Sequence, residues 1–148
     1  MWMTASTDFY RFRGRILVVD QDEWCREFLS QVIKLWGFGE YSLATTVDEA
    51  LDFLEKLSFD LLIADLNLPQ YRRLLEDCRQ RFPSMRLILM LQQRSQMYQV
   101  INLEQIEIVV KPLSLDEMAR KIREAIHYKH RLRVEEEILR LKQEAFRI

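Results

Sequence analysis

Residues 15–20 read Arg-Ile-Leu-Val-Val-Asp, and residues 60–65 read Asp-Leu-Leu-Ile-Ala-Asp. Each is a short apolar run closed by an acid. Neither alternates apolar with polar, so each would bury both of its faces, which is how a central strand of a parallel sheet reads. Two further runs share the pattern, LILML at 87–91 and residues 106–110, the latter stopped by Lys111-Pro112. A fifth, shorter strand is expected at 41–44. Between the strands the period changes to three and four. Trp24, Phe28, Leu29, Val32, Ile33 and Trp36 mark a helix over 23–36, with Gly37 as its stop. Thr46 and Glu49 open a second helix to about residue 57, with Val47, Ala50, Leu51 and Leu54 inward. A short helix over 72–82 turns Leu74, Leu75, Cys78 and Phe82 inward, after a loop at 66–69 that Pro69 keeps out of helix. Residues 95–103 are weakly helical. Ser114 and Glu117 open a last helix that shows no stop before Ile148. The alternation βαβαβαβαβα predicts an α/β fold, a five-stranded parallel sheet, doubly wound, with an extended C-terminal helix.

The chain has 148 residues, 22 Lys+Arg, 23 Asp+Glu and a net charge of -1. That balance excludes a basic footprint large enough to hold nucleic acid by charge. No uncharged run is long enough to span a membrane, and the first residues carry no apolar stretch of the secretory kind. The two cysteines, Cys25 and Cys78, lie far apart in helical segments, which reads as a reduced, cytoplasmic protein with packed thiols. Residues 1–14 read as an N-terminal arm, ended by Gly14, whose Trp2, Phe9, Tyr10 and Phe12 would cover a sheet edge or helix end.

In a doubly wound sheet the working crevice lies beyond the carboxyl ends of the strands. There stand Asp20-Gln21-Asp22-Glu23, then Asp65 with Asn67, then Gln92-Gln93, then Lys111-Pro112. Carboxylates brought close together repel, so they need a lysine or a divalent cation between them. Oxygen-only ligands suit Mg²⁺. Lys111 would hold a phosphoryl oxygen as a point charge, aimed by the turn that Pro112 sets, through a cis bond if one forms. These are the parts for phosphoryl transfer onto a carboxylate. Asp22 and Glu23 open a helix, where acids favour the positive dipole end, so at least one of them is structural. His127 and His130 read as exposed, and Trp24 and Trp36 as core or rim packing.

RILVVDQDE, LLIADLNLP and VVKPL, in this order, resemble the receiver domain of bacterial two-component response regulators, over about residues 15–127. The resemblance implies a flavodoxin-like sheet and transfer of phosphate from a histidine-kinase phosphohistidine, or a phosphotransfer protein, onto Asp65. By the same matching Asp20 is the first acid of an Mg²⁺ pocket, Asn67 offers its backbone carbonyl to the ion, and Lys111 is the pocket lysine. Such a domain is a signalling module rather than an enzyme. The departures are specific. The second acid of the pocket is replaced by Gln21, with Asp22 as a further candidate ligand. The hydroxyl residue after the fourth strand is Gln92, and the aromatic switch position is Ile108. The loop after Pro69 lacks the usual glycine, and the segment from Gln92 to Lys111 is short. Weakened or lost Mg²⁺ binding is the expected result.

Two readings follow, a phosphorylatable receiver with altered output and a pseudo-receiver that keeps the fold as an interaction module. A flavodoxin-like small-molecule binder is a third, but QDEWC after the first strand has no glycine to cradle phosphate. Beyond Ile126 the chain continues as helix. Val134, Ile138, Leu141, Ala145 and Ile148 recur at four, three, four and three, an a/d seam about two heptads long. Tyr128, Leu132, Leu139 and Phe146 run beside it, and pairs such as Glu136–Arg140 would support the helix. Residues 128–148 therefore read as a helical extension that forms a parallel coiled-coil homodimer, and such a linker resembles those that join receivers to downstream output domains.

Overall fold

The computed structural model describes residues 13–100, 103 and 106–146. The aromatic arm residues Trp2, Phe9, Tyr10 and Phe12, and Ile148 of the seam, lie outside the described residues. Five strands, β1 (Gly14–Val19), β2 (Gly39–Ala44), β3 (Leu61–Asp65), β4 (Arg86–Leu91) and β5 (Ile106–Val110), form one parallel sheet in the order β2-β1-β3-β4-β5. Four α-helices cover it, α1 (Glu23–Trp36), α2 (Val47–Lys56), α3 (Tyr71–Arg81) and α4 (Leu115–Ala145), with a 3-10 turn at Arg94–Gln99. The chain is thus a flavodoxin-like doubly wound α/β fold with a long last helix.

The strands explain the two layers. Ile16, Val18, Leu61, Ile63, Ile88 and Met90 point to one face and pack on α1 and α4 through Leu29, Ile33, Met118, Ile122 and Ile126. Leu17, Val19, Leu62, Ala64, Leu87 and Leu89 point to the other and meet Ala50, Leu54, Leu74 and Cys78 of α2 and α3. All are buried, and for the Leu, Ile, Val and Met side chains among them full burial contributes about 1.5–3 kcal/mol each. Strand order reverses at β1, so the crevice opens where the carboxyl ends of β1 and β3 lie side by side.

Local chemistry sets most of the boundaries. Asp22 caps α1, its side chain accepting from the Trp24 N–H, and Gly37 ends the helix in the left-handed region at φ 64°. Thr46 and Ser114 cap α2 and α4, accepting from the N–H groups of Glu49 and Glu117. Among the described residues no helix is long and apolar enough to cross a membrane.

Several expected edges move. Gly14 does not end the arm; it is the first residue of β1, paired with Gly39 in the ladder. A Cβ on Gly39 would stand 1.8 Å from the Gly14 carbonyl oxygen, so this close approach requires the glycine. That pairing also starts β2 two residues earlier than Tyr41. The helix expected at 72–82 starts and ends one residue sooner, behind Gln70 in the left-handed region. Of the weak helix expected at 95–103, the described part forms a short 3-10 helix, Arg94–Gln99, none of whose residues is buried. Arg140 pairs with Glu137 and Glu144 rather than Glu136, although all three lie within one helical turn of it.

α4 is continuous from the core to its tip. Met118, Ala119, Ile122, Ala125 and Ile126 are buried. At its middle, Arg86 of β4 stacks over Tyr128 at 4.2 Å, and Arg133 reaches Asp60 at 2.8 Å. Beyond that Val134, Ile138, Leu139, Leu141 and Phe146 are exposed, as is Ala145.

Candidate functional site at the strand tips

β1 and β3 deliver their terminal acids to one notch. The Lys111 Nζ lies 2.8 Å from Asp20 Oδ2 and 3.4 Å from Asp65 Oδ2, although these residues are distant in the chain. Asp20 is 0% exposed and Asp65 6%, and burying two carboxylates this deep is costly unless a cation pairs with them. Lys111 follows the last residue of β5, and its N–H donates to the Leu91 carbonyl at 2.7 Å. The Lys111-Pro112 bond is cis. Burial pulls the lysine's pKa down, but the hydrogen bond to Asp20 and the charges around it, Asp65 among them, outweigh that, so the net shift is upward.

Each carboxylate has further partners. Asp20 Oδ1 accepts from the Asp22 N–H at 2.9 Å, and the Asp20 carbonyl accepts from Arg26 Nη1 at 2.7 Å. Asp65 Oδ1 accepts from the Asn67 backbone N–H at 3.1 Å and its Nδ2 at 3.4 Å. The structure thus brings Asp20, Asp65, Asn67 and Lys111 together. It does not bring Gln21 or the Asp22 carboxylate into a third acidic position. Gln21 is exposed and lines a depression with Thr46, Asp48 and Gln70, while one oxygen of the Asp22 carboxylate accepts the helix-capping bond. Among the described residues no set of three His, Cys, Asp or Glu side chains is placed to hold a metal ion.

Gln92 and Ile108, at the two altered positions, stand at the β4 side. Gln92 is exposed beside a cleft of about 340 Å³ that Asp22, Trp24, Cys25, Lys111 and Leu113 also line. Ile108 is half-buried and packs on the core. Trp24 is 60% exposed at the rim and stacks on Phe28, ring centroids 5.2 Å apart. Cys25 is buried under the notch, and burial, then the neighbouring Asp20, push its thiol far above the usual range. His127 is exposed, and burial together with Arg123 lowers its pKa. Nothing in the local sequence signals two further participants, Arg26 and Gln96. Arg26 sits one helical turn past the cap, a position with a weak cue at most.

Comparison with known proteins bears directly on this notch. No curated protein matches the chain at a significant level. Solved structures do. A signal receiver domain of an HD domain-containing protein from Pseudomonas fluorescens is 28% identical, covering 80% of this chain and 98% of that one, with a TM-score of 0.72. A CheY-like response regulator receiver domain protein from Methanospirillum hungatei is 25% identical over the same shares, also at 0.72. The response regulator TrrA from Thermotoga maritima, solved in complex with Mg²⁺ and BeF, is 26% identical, covering 75% of this chain and 97% of that one, at 0.67. The family model of the response regulator receiver domain matches residues 16–123, so the strand-tip acids and their lysine sit within the matched span, and the chain belongs to that family.

Proposed function

We propose that this chain is a two-component receiver whose Asp65 accepts a phosphoryl group from a histidine kinase or phosphotransfer protein. The carrying observation is the notch itself, in which one ammonium group meets two buried strand-tip carboxylates. In the transfer an Asp65 oxygen attacks phosphorus, the P–N bond to the donor imidazole breaks, and the imidazole leaves with its proton. Lys111 offsets the charge that gathers on the phosphoryl oxygens. Asp20, Asp65 and the Asn67 carbonyl suit Mg²⁺, since all are oxygen donors and two carboxylates are enough for an ion that keeps several waters. When bound, the ion supplies charge neutralisation between acceptor and donor. With Gln21 exposed and Asp22 capping α1, no third carboxylate strengthens that site, so binding is weak.

An arm before Gly14, a receiver from Gly14 to about residue 127 and an extension at 128–148 form the working division of the chain. The extension pairs with a second copy through Val134, Ile138, Leu141, Ala145 and Ile148, in a parallel coiled coil leading to an output domain. In that register Glu137 of one copy stands opposite Lys142 of the other, the g-to-e pairing that favours parallel strands. The test combines both levels. With acetyl phosphate and Mg²⁺, wild type gains one phosphoryl mass and Asp65→Ala gains none. Light scattering gives a dimer that becomes monomeric in Ile138→Asp. A second reading, the pseudo-receiver, is favoured by Gln92 and Ile108. A wild type that gains no mass while remaining dimeric would establish it.

A further inference from the structure

The 3-10 turn Arg94–Gln99 connects to the acceptor by a chain of amides. The Gln96 Oε1 accepts from two backbone N–H groups, Gln92 at 2.9 Å and Gln93 at 3.2 Å. Backbone N–H groups can only donate, so they fix which end of the Gln96 amide is oxygen. Its Nε2 must then face outward, and it donates to Asn67 Oδ1 at 3.0 Å. That bond fixes Asn67 in turn, leaving its Nδ2 directed at Asp65 Oδ1 at 3.4 Å. Every donor along the path points toward the carboxylate. Such aligned bonds polarise one another. The far end of the turn is tied as well, the Tyr71 hydroxyl bonding to Gln99 Oε1 at 3.2 Å.

We infer that Gln96 is a positioning residue for Asp65, acting through the Asn67 side chain, which it orients so that one carboxylate oxygen is held by donors while the other is left to Lys111 and the incoming phosphoryl group. The inference rests on the reading of Asp65 as acceptor. It gives the β4–β5 segment a link to the acceptor that needs neither a hydroxyl at 92 nor an aromatic ring at 108. It also places Met97 and Tyr98, the latter 74% exposed, on the same short turn as the residue that touches the relay.

Gln96→Met keeps the side-chain length and removes both ends of the relay. The expected result is a fall of roughly threefold to tenfold in the rate constant for phosphorylation of Asp65 by acetyl phosphate at saturating Mg²⁺, the worth of about one lost hydrogen bond. In an Asn67→Ala background the same substitution should change the rate no further. Gln96→Glu still accepts from residues 92 and 93 but offers no N–H to Asn67, so it should also be slow. In ¹H–¹⁵N NMR spectra of the unphosphorylated protein, the Asn67 carboxamide signal should move in both Gln96 variants while the thermal midpoint stays within a degree or two. An unmoved Asn67 signal, a wild-type rate in Gln96→Glu, or an undiminished Gln96→Met effect in the Asn67→Ala background would each overturn the positioning role. A wild-type chain that takes up no phosphoryl group overturns the acceptor reading instead, and with it any role in transfer.

Discussion

The notch at the ends of β1 and β3 and the segment from Gln92 to Ile108 face the same crevice, yet they are built differently. The notch is held by strands buried on both faces, and its acids are fixed by the ladder that precedes them. The second region contains a polar 3-10 segment, Arg94–Gln99, none of whose own residues is buried, held by side-chain amides. The first keeps the family's acid–acid–lysine arrangement. The second carries an amide and an aliphatic residue where a hydroxyl and an aromatic ring are usual. Chemistry at the notch is thereby separable from the surface that would respond to it. In the proposed reading, acceptance of phosphate would depend on a rigid scaffold, and any response on a few exposed hydrogen bonds, each worth about 1 kcal/mol.

Truncation should break this contrast most visibly. Ile63→Ala, in the fully buried strand below Asp65, should cost about 2–5 kcal/mol in urea unfolding, while Met97→Ala on the turn should stay within about 0.5 kcal/mol. Equal costs would mean that the two regions share one scaffold. Next in size, Lys111→Met should lower the phosphorylation rate about a hundredfold, the usual loss on removing one group that stabilises developing charge. It should also change the pH dependence. The pKa of Lys111 is raised on folding, so its contribution to stability is complete below the ordinary value of 10.5 and is lost as pH rises past it. Wild type should therefore lose stability on the alkaline side relative to Lys111→Met, as read by unfolding midpoints between neutral and strongly alkaline pH.

A smaller change should come from the second region. Gln92→Thr with Ile108→Tyr restores a hydroxyl and a ring, and the lifetime of the Asp65 phosphate, followed by mass spectrometry, should rise about fivefold for one added hydrogen bond. An unchanged lifetime would show that the amide-built segment has no access to the phosphoryl oxygens. The smallest signal is chemical. Cys78 is buried, and burial pushes its thiol up to about 12, so it should not react with a disulfide reagent at pH 8 until the chain unfolds.

The first region was legible from sequence and the second was not, for a physical reason. RILVVD and DLLIAD announce themselves because a strand buried on both faces can carry only apolar residues, and a terminal acid then falls at the strand's carboxyl end, in the crevice. Asp20, Asp65 and Lys111 could be assembled from topology alone. By contrast, β2 is an edge strand with Glu40 on it, and its start is set by backbone contact with Gly14, which leaves no hydrophobic trace. Gln96 touches Asn67 across 29 positions through amides, and no periodicity encodes such a bond. The replacement of Glu136 by Glu137 and Glu144 as partners of Arg140 shows the same limit on the helix surface, where several acids lie within reach.

One mechanical consequence lies in the length of α4. Its first three turns are embedded beside the sheet, and Arg133 and Tyr128 clamp it near the base. Beyond the clamp the stretch from residue 134 to 145 extends for about 18 Å. A tilt of only ~5° at the clamp would carry its far end sideways by about 2 Å, by the same rise per residue. Motion too slight to register at the hinge would thus arrive at the tip as a displacement large enough to repack whatever is fastened there.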